Sequence, residues 1–213
     1  MRTRLLGNPD SRTVLVQMVD DHDLQFIENE FQLIRESACK DDFSLLTVKV
    51  DDWNHDLSPW NAPPVFGDAS FGDGAEHTLS LLLDRIIPDY VPKNAVLYIG
   101  GYSLSGLFAL WAASNCPVFK GVAAASPSVW FPDFVQYSEK NSLKAEAVYL
   151  SLGDKEEKTR NPLMATVGDA VRRLFDIYSA SGIPCTLEWN PGNHFREPDV
   201  RMAKGFSWLL NRK

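Results

Sequence analysis

The amino-acid sequence predicts a single domain of the α/β class, residues 1–213, with a mostly parallel central sheet flanked by helices. Short apolar runs that carry few charges alternate along the chain with amphipathic segments at helical spacing. Such runs are typical of strands covered on both faces, and their alternation with helices favours right-handed βαβ units. Ligands bind beyond the carboxyl ends of the strands in these sheets, so we expect the functional residues in the loops that follow strands.

Six apolar runs are predicted to form the strands, so the sheet is expected to have about six of them. Each run is short and is followed by a polar or glycine-containing segment that suits a loop. The predicted strands are residues 14–19, 45–50, 95–99, 121–125, 147–152 and 185–189.

Helices are predicted where apolar residues recur at helical spacing, because such a stripe marks the face of a helix that packs on a sheet. A last helix is expected at about residues 198–210. The other stripes are Leu24, Ile27, Phe31 and Ile34; Leu79, Leu82, Leu83, Ile86 and Ile87; and Val167, Val171 and Leu174.

Polar residues and prolines predict where two of these helices begin and end. Asp73 and Glu76 have the spacing of a capping box, and Pro88 is expected to end the helix that they begin. Asn161, followed by a proline, is expected to cap the next helix, and Gly182 to end it.

Composition argues against several classes of function. The net charge is −7 and the Lys and Arg residues are scattered, whereas nucleic-acid binding needs a basic stripe. No segment approaches the roughly 18 consecutive apolar residues of a membrane span, and the first residues lack the apolar run of a signal peptide. Cys39, Cys116 and Cys185 lack the spacing of a disulfide framework or a zinc site. We therefore expect a cytoplasmic protein with no nucleic-acid partner, membrane contact, metal or cofactor.

The segment VLYIGGYSLSGLFALWAAS, residues 96–114, predicts a turn that presents a nucleophile. It passes from a strand to a helix through small residues around Ser103. A sharp strand-to-helix turn can lift a serine from the backbone only if the residues two before and two after it are small, as Gly101 and Ser105 are. The alternative is a glycine-rich turn that only lets helix and sheet pack closely.

A serine hydroxyl needs a base, which predicts a role for a histidine. The chain has His22, His55, His77 and His194, and in this type of fold the histidine follows the serine and the acid along the chain. His194 alone lies after Ser103, in a loop that follows the last predicted strand. We therefore expect His194 to be the general base.

The acid that orients the histidine is expected in the loop after the strand at 147–152. Asp154, Glu156 and Glu157 all lie in that loop, and the residues themselves do not choose among the three. The oxyanion needs two N–H donors. Leu104 follows the nucleophile at a helix N-terminus and suits one of them, and the loop at 20–23 is expected to supply the other.

Aromatic residues in loops that follow strands are candidates for the walls of a substrate cleft. The alternative is that these side chains only cover the end of the sheet. The long stretch 57–74, which contains Trp60, is a candidate cover for the cleft, and with 127–142 it is the only chain left to build walls. A shallow cleft is therefore expected. Candidate substrate-binding residues are Tyr102, Ser128, Trp130 and Trp53.

The motifs VQMVDD, FGDGAEHTLSLLLDRIIP, GGYSLSGLFAL, ASPSVWF and GNHF span most of the chain. Together they resemble the esterase D-like branch of the α/β-hydrolase superfamily, which includes S-formylglutathione hydrolases, feruloyl esterases and siderophore esterases. The resemblance is greatest to the siderophore (enterobactin-type) subgroup. It implies Ser103 as nucleophile, His194 as base, and Glu156, three residues after Gly153, as acid. It also implies the Asp21 N–H as the second oxyanion donor.

The sequence departs from the family pattern at three places. Glycine is usual where Ser105 stands and frequent where Asp21 stands. The N-terminal part is short, and we expect it to leave no room for extra antiparallel strands or a lid.

The resemblance and the motifs together predict a serine hydrolase acting on small carboxylic esters or thioesters with acyl or aryl groups. The reaction is expected to proceed through an acyl-enzyme. Two alternatives stay open: acyl transfer to an acceptor other than water by the same residues, and a hydrolase-fold binding protein that has lost its chemistry.

Overall fold

A seven-stranded sheet forms the centre of the computed structural model, which describes residues 1–39, 42–65 and 67–212. The strand order is β1-β3-β2-β4-β5-β6-β7, and all neighbouring pairs are parallel except β1 and β3. The predicted α/β class and mostly parallel sheet are thus confirmed, with one strand more than expected. The strands are β1 Arg2–Gly7, β2 Thr13–Val19, β3 Ser44–Lys49, β4 Val96–Tyr102, β5 Phe119–Ala125, β6 Ala147–Gly153 and β7 Cys185–Asn190.

The additional strand, β1, corrects the expectation that the N-terminal part leaves no room for an antiparallel strand. It pairs with β3 from Arg2↔Lys49 to Gly7↔Ser44. Arg2 and Arg4 are exposed and Thr3 and Leu5 are half-buried, whereas Leu6, on the same side of the strand as the two arginines, is buried. Because exposed arginines occupy the first half of the strand, it has no long apolar run by which the sequence would reveal it.

Eight α-helical segments within the described residues flank the sheet. They include the predicted last helix with the expected bounds, and α7 begins later than its cap Asn161 suggested. The helices are α1 Ile27–Ser37, α2 Trp53–Asp56, α3 Ala75–Leu81, α4 Ile87–Tyr90, α5 Leu104–Asn115, α6 Phe134–Lys140, α7 Val167–Ala180 and α8 Pro198–Leu210.

Pro88 does not end its helix, contrary to the prediction. A π-helical turn, Leu82–Ile86, joins α3 directly to α4, and Pro88 lies in the first turn of α4. The wider turn changes the hydrogen-bonding register just before the proline, where an N–H is missing. The capping box is also absent: Gly74 occupies the N-cap, and the Asp73 carboxylate accepts a hydrogen bond from Asn61 Nδ2 at 2.9 Å.

Of the two predictions for the ends of α7, the glycine at its end is confirmed, whereas the predicted start is wrong, because Thr166 and not Asn161 is the N-cap. Asn161 Oδ1 accepts the N–H groups of Leu163 and Met164 at 3.0 and 3.2 Å, ahead of a 3₁₀ turn that leads into α7. Gly182, at φ +77°, follows the end of α7 in the left-handed conformation that glycine adopts most easily.

The core has two parts, one on each face of the sheet. Helix α5 lies in the first part and is buried all round except at its last residue, which explains why its sequence is apolar without a polar face. Helices α1 and α8 pack against each other and cover the second face. No helix in the described part of the chain is long and apolar enough to cross a bilayer.

Candidate active site

Ser103 occupies a strained turn between β4 and α5. Its backbone angles are φ 57° and ψ −124°, a conformation that costs a non-glycine residue on the order of 1–3 kcal/mol. A Cβ on Gly101 would lie 2.1 Å from Ser105 Oγ, and a Cβ on Gly106 would lie 2.8 Å from the Gly101 carbonyl oxygen. Only glycine fits at these two positions, so the small residues of the motif are required by the turn itself.

Ser105, where the family pattern has glycine, is fully buried and takes part in the packing of the turn. Its hydroxyl donates a hydrogen bond to the Met18 carbonyl oxygen at 2.7 Å. The bond connects the start of α5 to the end of β2. The larger residue is therefore accommodated by a polar contact and does not enter the space in front of Ser103.

His194 lies in the loop after β7 and faces Ser103. Its Nε2 is 3.1 Å from Ser103 Oγ, and its Nδ1 is 2.7 Å from Glu156 Oε2. The loop is fixed from two sides: Gly192, at φ +103°, donates its N–H to Asp154 Oδ1 at 2.7 Å, and the Tyr102 hydroxyl donates to the His194 carbonyl oxygen at 2.7 Å. The imidazole thus bridges a hydroxyl and a carboxylate, the arrangement that proton transfer from a serine requires.

The three acidic residues of the loop after β6 have different partners. Glu156 is 8% exposed and contacts His194, whereas the Asp154 carboxylate accepts the Gly192 N–H and that of Glu157 accepts Arg172 Nη2 at 3.0 Å. The structure therefore brings Glu156, and neither of its neighbours, to the imidazole.

The Glu156 carboxylate is held in its ionised form. Burial acts to raise the pKa of Glu156, but the hydrogen bond and charge of His194 and the hydrogen bonds from Ser126 Oγ and the Gly153 N–H outweigh it, so the pKa lies below its ordinary value. The last two bonds are both 2.7 Å long and end on Oε1. A carboxylate that stays ionised at neutral pH can stabilise a protonated imidazole.

The two oxyanion candidates are placed differently. Leu104 is the first residue of α5 and lines the cavity in front of Ser103. The Asp21 side chain is 73% exposed and forms ion pairs with Lys49 at 2.8 Å and Arg2 at 3.3 Å. Asp20, rather than Asp21, is among the described residues that line the cavity, and the role of the Asp21 N–H stays a prediction.

The largest cavity in contact with Ser103 has a volume of about 560 Å³ and mostly apolar walls. Trp53 and Trp130, both predicted substrate-binding residues, lie in these walls. Ser128, also predicted, lines the same cavity, and its Oγ is 3.2 Å from Ser103 Oγ. The apolar and aromatic lining consists of Trp53, Phe71, Leu104, Trp130, Met164 and Phe195.

Two smaller cavities adjoin the first. One, of about 150 Å³, contains Ser103 and the predicted residue Tyr102, whose pKa burial raises to about 12. The other, of about 280 Å³, has Lys155 and Lys158 at its edge. Phe195, 84% exposed, borders all three cavities.

The stretch 57–74, proposed as a cover, forms part of the wall. Its Phe71 is 3% exposed, pairs with Ala62 in an isolated β-bridge, and contacts the ring of Trp130 edge-on at 6.0 Å. Trp60 packs away from the nucleophile and donates its Nε1–H to the Pro132 carbonyl oxygen at 3.0 Å. Position 66 lies outside the described residues.

Solved structures provide the comparison that decides the fold, because no protein-family model and no curated protein matches the sequence. An IroE-like serine hydrolase from Shewanella oneidensis superposes with a TM-score of 0.76 at 14% identity, over 98% of this chain and 75% of that chain. The siderophore hydrolase EstA from Aspergillus nidulans gives 0.66 at 20% identity, over 96% and 84%. Est1E from Butyrivibrio proteoclasticus, solved with ferulic acid bound, gives 0.59 at 14% identity, over 98% and 94%.

The protein has the α/β-hydrolase fold. Identities of 14–20% establish the fold and leave the activity to be argued from the site.

Within this α/β-hydrolase fold, sequence reasoning missed two residues of the site, Arg201 and Ser126. Both are buried, and each lies within hydrogen-bonding distance of Glu156. Ser126 belongs to the ASPSVWF motif, and its φ of 45° places it at a second strained turn, directly after β5. Arg201 lies on α8 among apolar residues, and a charged residue at a buried helix position is the only sequence signal that pointed to it.

The described residues include no group of three or more His, Cys, Asp or Glu side chains that could hold a metal ion.

Proposed function

We propose that the protein is a serine hydrolase that cleaves carboxylic esters or thioesters of small acyl or aryl groups. The observation that carries this proposal is the continuous contact from Ser103 Oγ through His194 to Glu156, with distances of 3.1 and 2.7 Å. A strained serine in contact with a base, which a buried carboxylate orients, is the arrangement that activates a hydroxyl for attack.

In the first step, Ser103 Oγ attacks the carbonyl carbon of the ester, and its proton passes to His194 Nε2. Glu156 accepts the Nδ1–H throughout and stabilises the positive charge that the imidazole gains. The carbonyl π electrons move to the oxygen, which becomes an oxyanion. The Leu104 N–H, at the N-terminus of α5, and the Asp21 N–H are the proposed donors to that oxygen.

In the second step, the tetrahedral intermediate collapses and the bond to the leaving oxygen or sulfur breaks. The His194 proton passes to the leaving group, and Ser103 carries the acyl group. Water then attacks this acyl-enzyme while His194 takes its proton. The bond between the acyl carbon and Ser103 Oγ breaks, the His194 proton passes to Oγ, and the carboxylic acid is released. The reaction uses only these side chains and water.

The aromatic cavity is the proposed acyl site. Its volume of about 560 Å³ lies in the range of small-molecule sites, and flat apolar groups suit its walls of Trp53, Trp130 and Phe195. The structurally similar Est1E binds ferulic acid, and EstA is a siderophore hydrolase, which makes aryl acyl esters and siderophore esters the first substrates to test.

Labelling with a fluorophosphonate tests the proposal directly. Peptide mapping should place a single adduct on Ser103, and Ser103→Ala should abolish both the adduct and turnover of p-nitrophenyl acetate. Ser179→Ala, at an exposed position of α7, is the control and should behave as the wild type. An unlabelled wild type that turns over no activated ester would identify a binding protein, and an adduct on Ser105 would refute the assignment.

A panel of aryl esters, thioesters and siderophore esters, assayed with and without added alcohol or amine acceptors, then identifies the acyl group and the acceptor. Free acid as the main product supports hydrolysis. If the acylated alcohol or amine were the main product, the proposed hydrolase activity would be contradicted and an acyltransferase indicated.

A further inference from the structure

Arg201 is a buried cation at the back of the candidate active site. It lies on the first turns of α8, and its side chain is 2% exposed. An arginine is almost never this buried unless its charge is paired and its N–H groups are bonded. The surroundings of its guanidinium therefore indicate why the residue is there.

One nitrogen of the guanidinium faces the acid. Nη1 lies 2.8 Å from Glu156 Oε1, 2.9 Å from Ser126 Oγ and 3.1 Å from the Tyr102 hydroxyl oxygen. Tyr102 immediately precedes the proposed nucleophile, so this nitrogen connects the end of β4 with the loops after β5 and β6.

The second terminal nitrogen, Nη2, faces the loop after β7 that carries His194. Nη2 lies 3.0 Å from the Asn193 carbonyl oxygen and 3.2 Å from that of Pro191. Asn193 directly precedes His194. The planar fork of a guanidinium fixes the angle between its donors, so a single side chain holds the acid and the base at a set separation.

The contacts of Glu156 divide between its two oxygens. Oε1 faces three donors, which are Ser126 Oγ, the Gly153 N–H and Arg201 Nη1, while Oε2 faces His194 Nδ1. With Oε1 fully occupied, the carboxylate cannot rotate away from the imidazole. Arg201 also supplies a permanent positive charge beside a carboxylate whose side chain is 5% exposed.

A contribution to folding stability is a weak explanation for the buried ion pair between Arg201 and Glu156. Because desolvation opposes the attraction between buried charges, replacement of a whole buried ion pair by apolar residues is often neutral or stabilising. An arginine that served only to attach α8 to the sheet would not need to contact the acid, the base loop and the residue before the nucleophile together.

We propose that Arg201 is a positioning residue for the reaction: it fixes the Glu156 carboxylate against His194 Nδ1 and holds the His194 loop at the distance that the contact with Ser103 requires. This inference rests on the proposed serine-hydrolase function. It adds a fourth residue, outside the motifs of the sequence, on which the alignment of the other three depends.

Two substitutions separate the charge of Arg201 from its geometry. Arg201→Met keeps much of the length of the side chain and removes the charge, whereas Arg201→Lys keeps the charge and loses the fork. Arg173→Met is the matched control, because Arg173 pairs with Glu139 on the surface at 2.7 Å, away from the site. The measurements are kcat and KM for p-nitrophenyl acetate, the pH profile of kcat/KM, the rate of fluorophosphonate labelling and the melting temperature.

Arg201→Met should lower kcat and the labelling rate on the order of 10²-fold, the effect of a small misplacement of catalytic groups, with KM within about threefold. The acid limb of its pH profile should move to higher pH, because loss of a positive charge beside the Glu156–His194 pair favours binding of a proton by that pair. Arg201→Lys should restore the acid limb of the wild type but keep at least a tenfold deficit in kcat. Arg173→Met should match the wild type in every measurement.

A folded Arg201→Met protein whose kcat and pH profile equal those of Arg173→Met would overturn the inference. If Arg201→Met does not fold, Arg201→Lys decides: wild-type kcat in that variant would show that the fork has no positioning role. A wild-type protein that neither reacts with the fluorophosphonate nor hydrolyses any ester would instead refute the proposed function itself. The two failures are therefore distinguishable.

Discussion

Glu156 Oε2 lies 2.7 Å from His194 Nδ1, although thirty-eight positions separate the two residues along the chain. The neighbouring Asp154 carboxylate bonds instead to the Gly192 N–H at 2.7 Å, two residues before the same histidine. One acidic residue thus orients the imidazole while the other supports the loop that carries it.

Glu156→Gln should lower kcat far more than Asp154→Asn or Glu157→Gln. The amide cannot stabilise a charged imidazole, and such replacements of the acid cost on the order of 10⁴-fold in other serine hydrolases. Asp154→Asn should have a smaller effect, expressed as a lower melting temperature as well as a lower rate, because it weakens the support of the loop. Steady-state kinetics of the three variants checks the ranking, which would be wrong if Asp154→Asn were the most damaging.

Phe195→Ala should weaken binding of esters with an aromatic acyl group. The Phe195 ring borders every cavity at the site and is 84% exposed, so it has no role in the core. Aromatic contacts are worth about 0.5–1.5 kcal/mol, which corresponds to a rise in KM of roughly 2–10-fold. The kcat for p-nitrophenyl acetate should change little, and Tyr90→Ala, at an exposed position on α4, is the control.

An equal loss of kcat on acetate and on aromatic esters would contradict this role for Phe195. It would show that the ring acts by holding the His194 imidazole, which it meets edge-on at 5.4 Å.

Short acyl groups should be preferred to long ones. Phe195 lines the cavity beside Ser103 and is 84% exposed, so we expect a long acyl chain that passes this ring to extend into solvent. A tunnel would add about 0.8 kcal/mol, or roughly fourfold in kcat/KM, for each CH₂ that it buries. We expect the p-nitrophenyl acetate and butyrate esters to exceed laurate and palmitate in kcat/KM. A steady increase from C2 to C12, measured below the aggregation limit of the esters, would refute the shallow cleft.

Glu30→Gln should stabilise the protein at neutral and alkaline pH. Burial raises the pKa of Glu30 well above its ordinary value, the Gln17 Nε2–H lowers it in part, and the charges of Asp23 and Asp199 raise it further. Oε1 of Glu30 and Oε1 of Gln17 are both buried without a hydrogen-bond partner. An amide at position 30 could donate to Gln17 and needs no proton to be neutral.

The sign of this effect follows from proton linkage. A carboxyl whose pKa is higher in the folded state binds more protons there, so its contribution to stability falls as pH rises from about 4.5 towards the raised value. The melting temperature of Glu30→Gln should exceed that of the wild type at pH 8 and approach it at pH 4. An unpaired buried group costs about 1–3 kcal/mol, and each kcal/mol shifts the melting temperature by roughly 2–4 °C.

Glu28→Gln, at an exposed position of the same helix where the carboxylate pairs with Arg4, is the control for this measurement. If Glu30→Gln and Glu28→Gln changed the melting temperature equally at both pH values, the buried carboxyl would not be the source.

The sequence predicted those parts of the fold whose physical cause is local. Strands covered on both faces must be apolar along their length, which is why the five central strands, β2 to β6, were visible as apolar runs. The run that forms β7 was also predicted, although this strand lies at an edge of the sheet and is only partly buried. Strand β1 begins with two exposed arginines and contains only two leucines, so the short segment RTRLLG resembles a loop. The prediction for Pro88 was wrong because a π-helical turn changes the hydrogen-bonding pattern before the proline, so that the helix continues without its N–H. The residues before Pro88 carry no sequence signal for a π-helical turn.

The same distinction applies to the site. Ser103 and its small neighbours could be recognised because the turn restricts residue size at adjacent positions. The choice among Asp154, Glu156 and Glu157 depends on how a 3₁₀ turn at Glu156–Lys158 directs each side chain, and local sequence does not determine that direction. The resemblance to known esterases indicated Glu156, whereas no motif indicated Arg201, because its role arises only when α8 closes over loops distant in the chain.

The backbone of Ser103 connects catalysis with the melting temperature of the protein. Alanine at this position retains the strained φ of 57°, whereas glycine adopts it without strain. Of two inactive variants that lack the same hydroxyl, Ser103→Gly should therefore melt at a higher temperature than Ser103→Ala. The difference reports the backbone strain at this position, reduced by the greater conformational entropy that glycine has in the unfolded chain. The backbone strain that presents the nucleophile thus lowers the stability of the folded protein. Selection for stability would favour glycine at this position, whereas selection for activity requires serine.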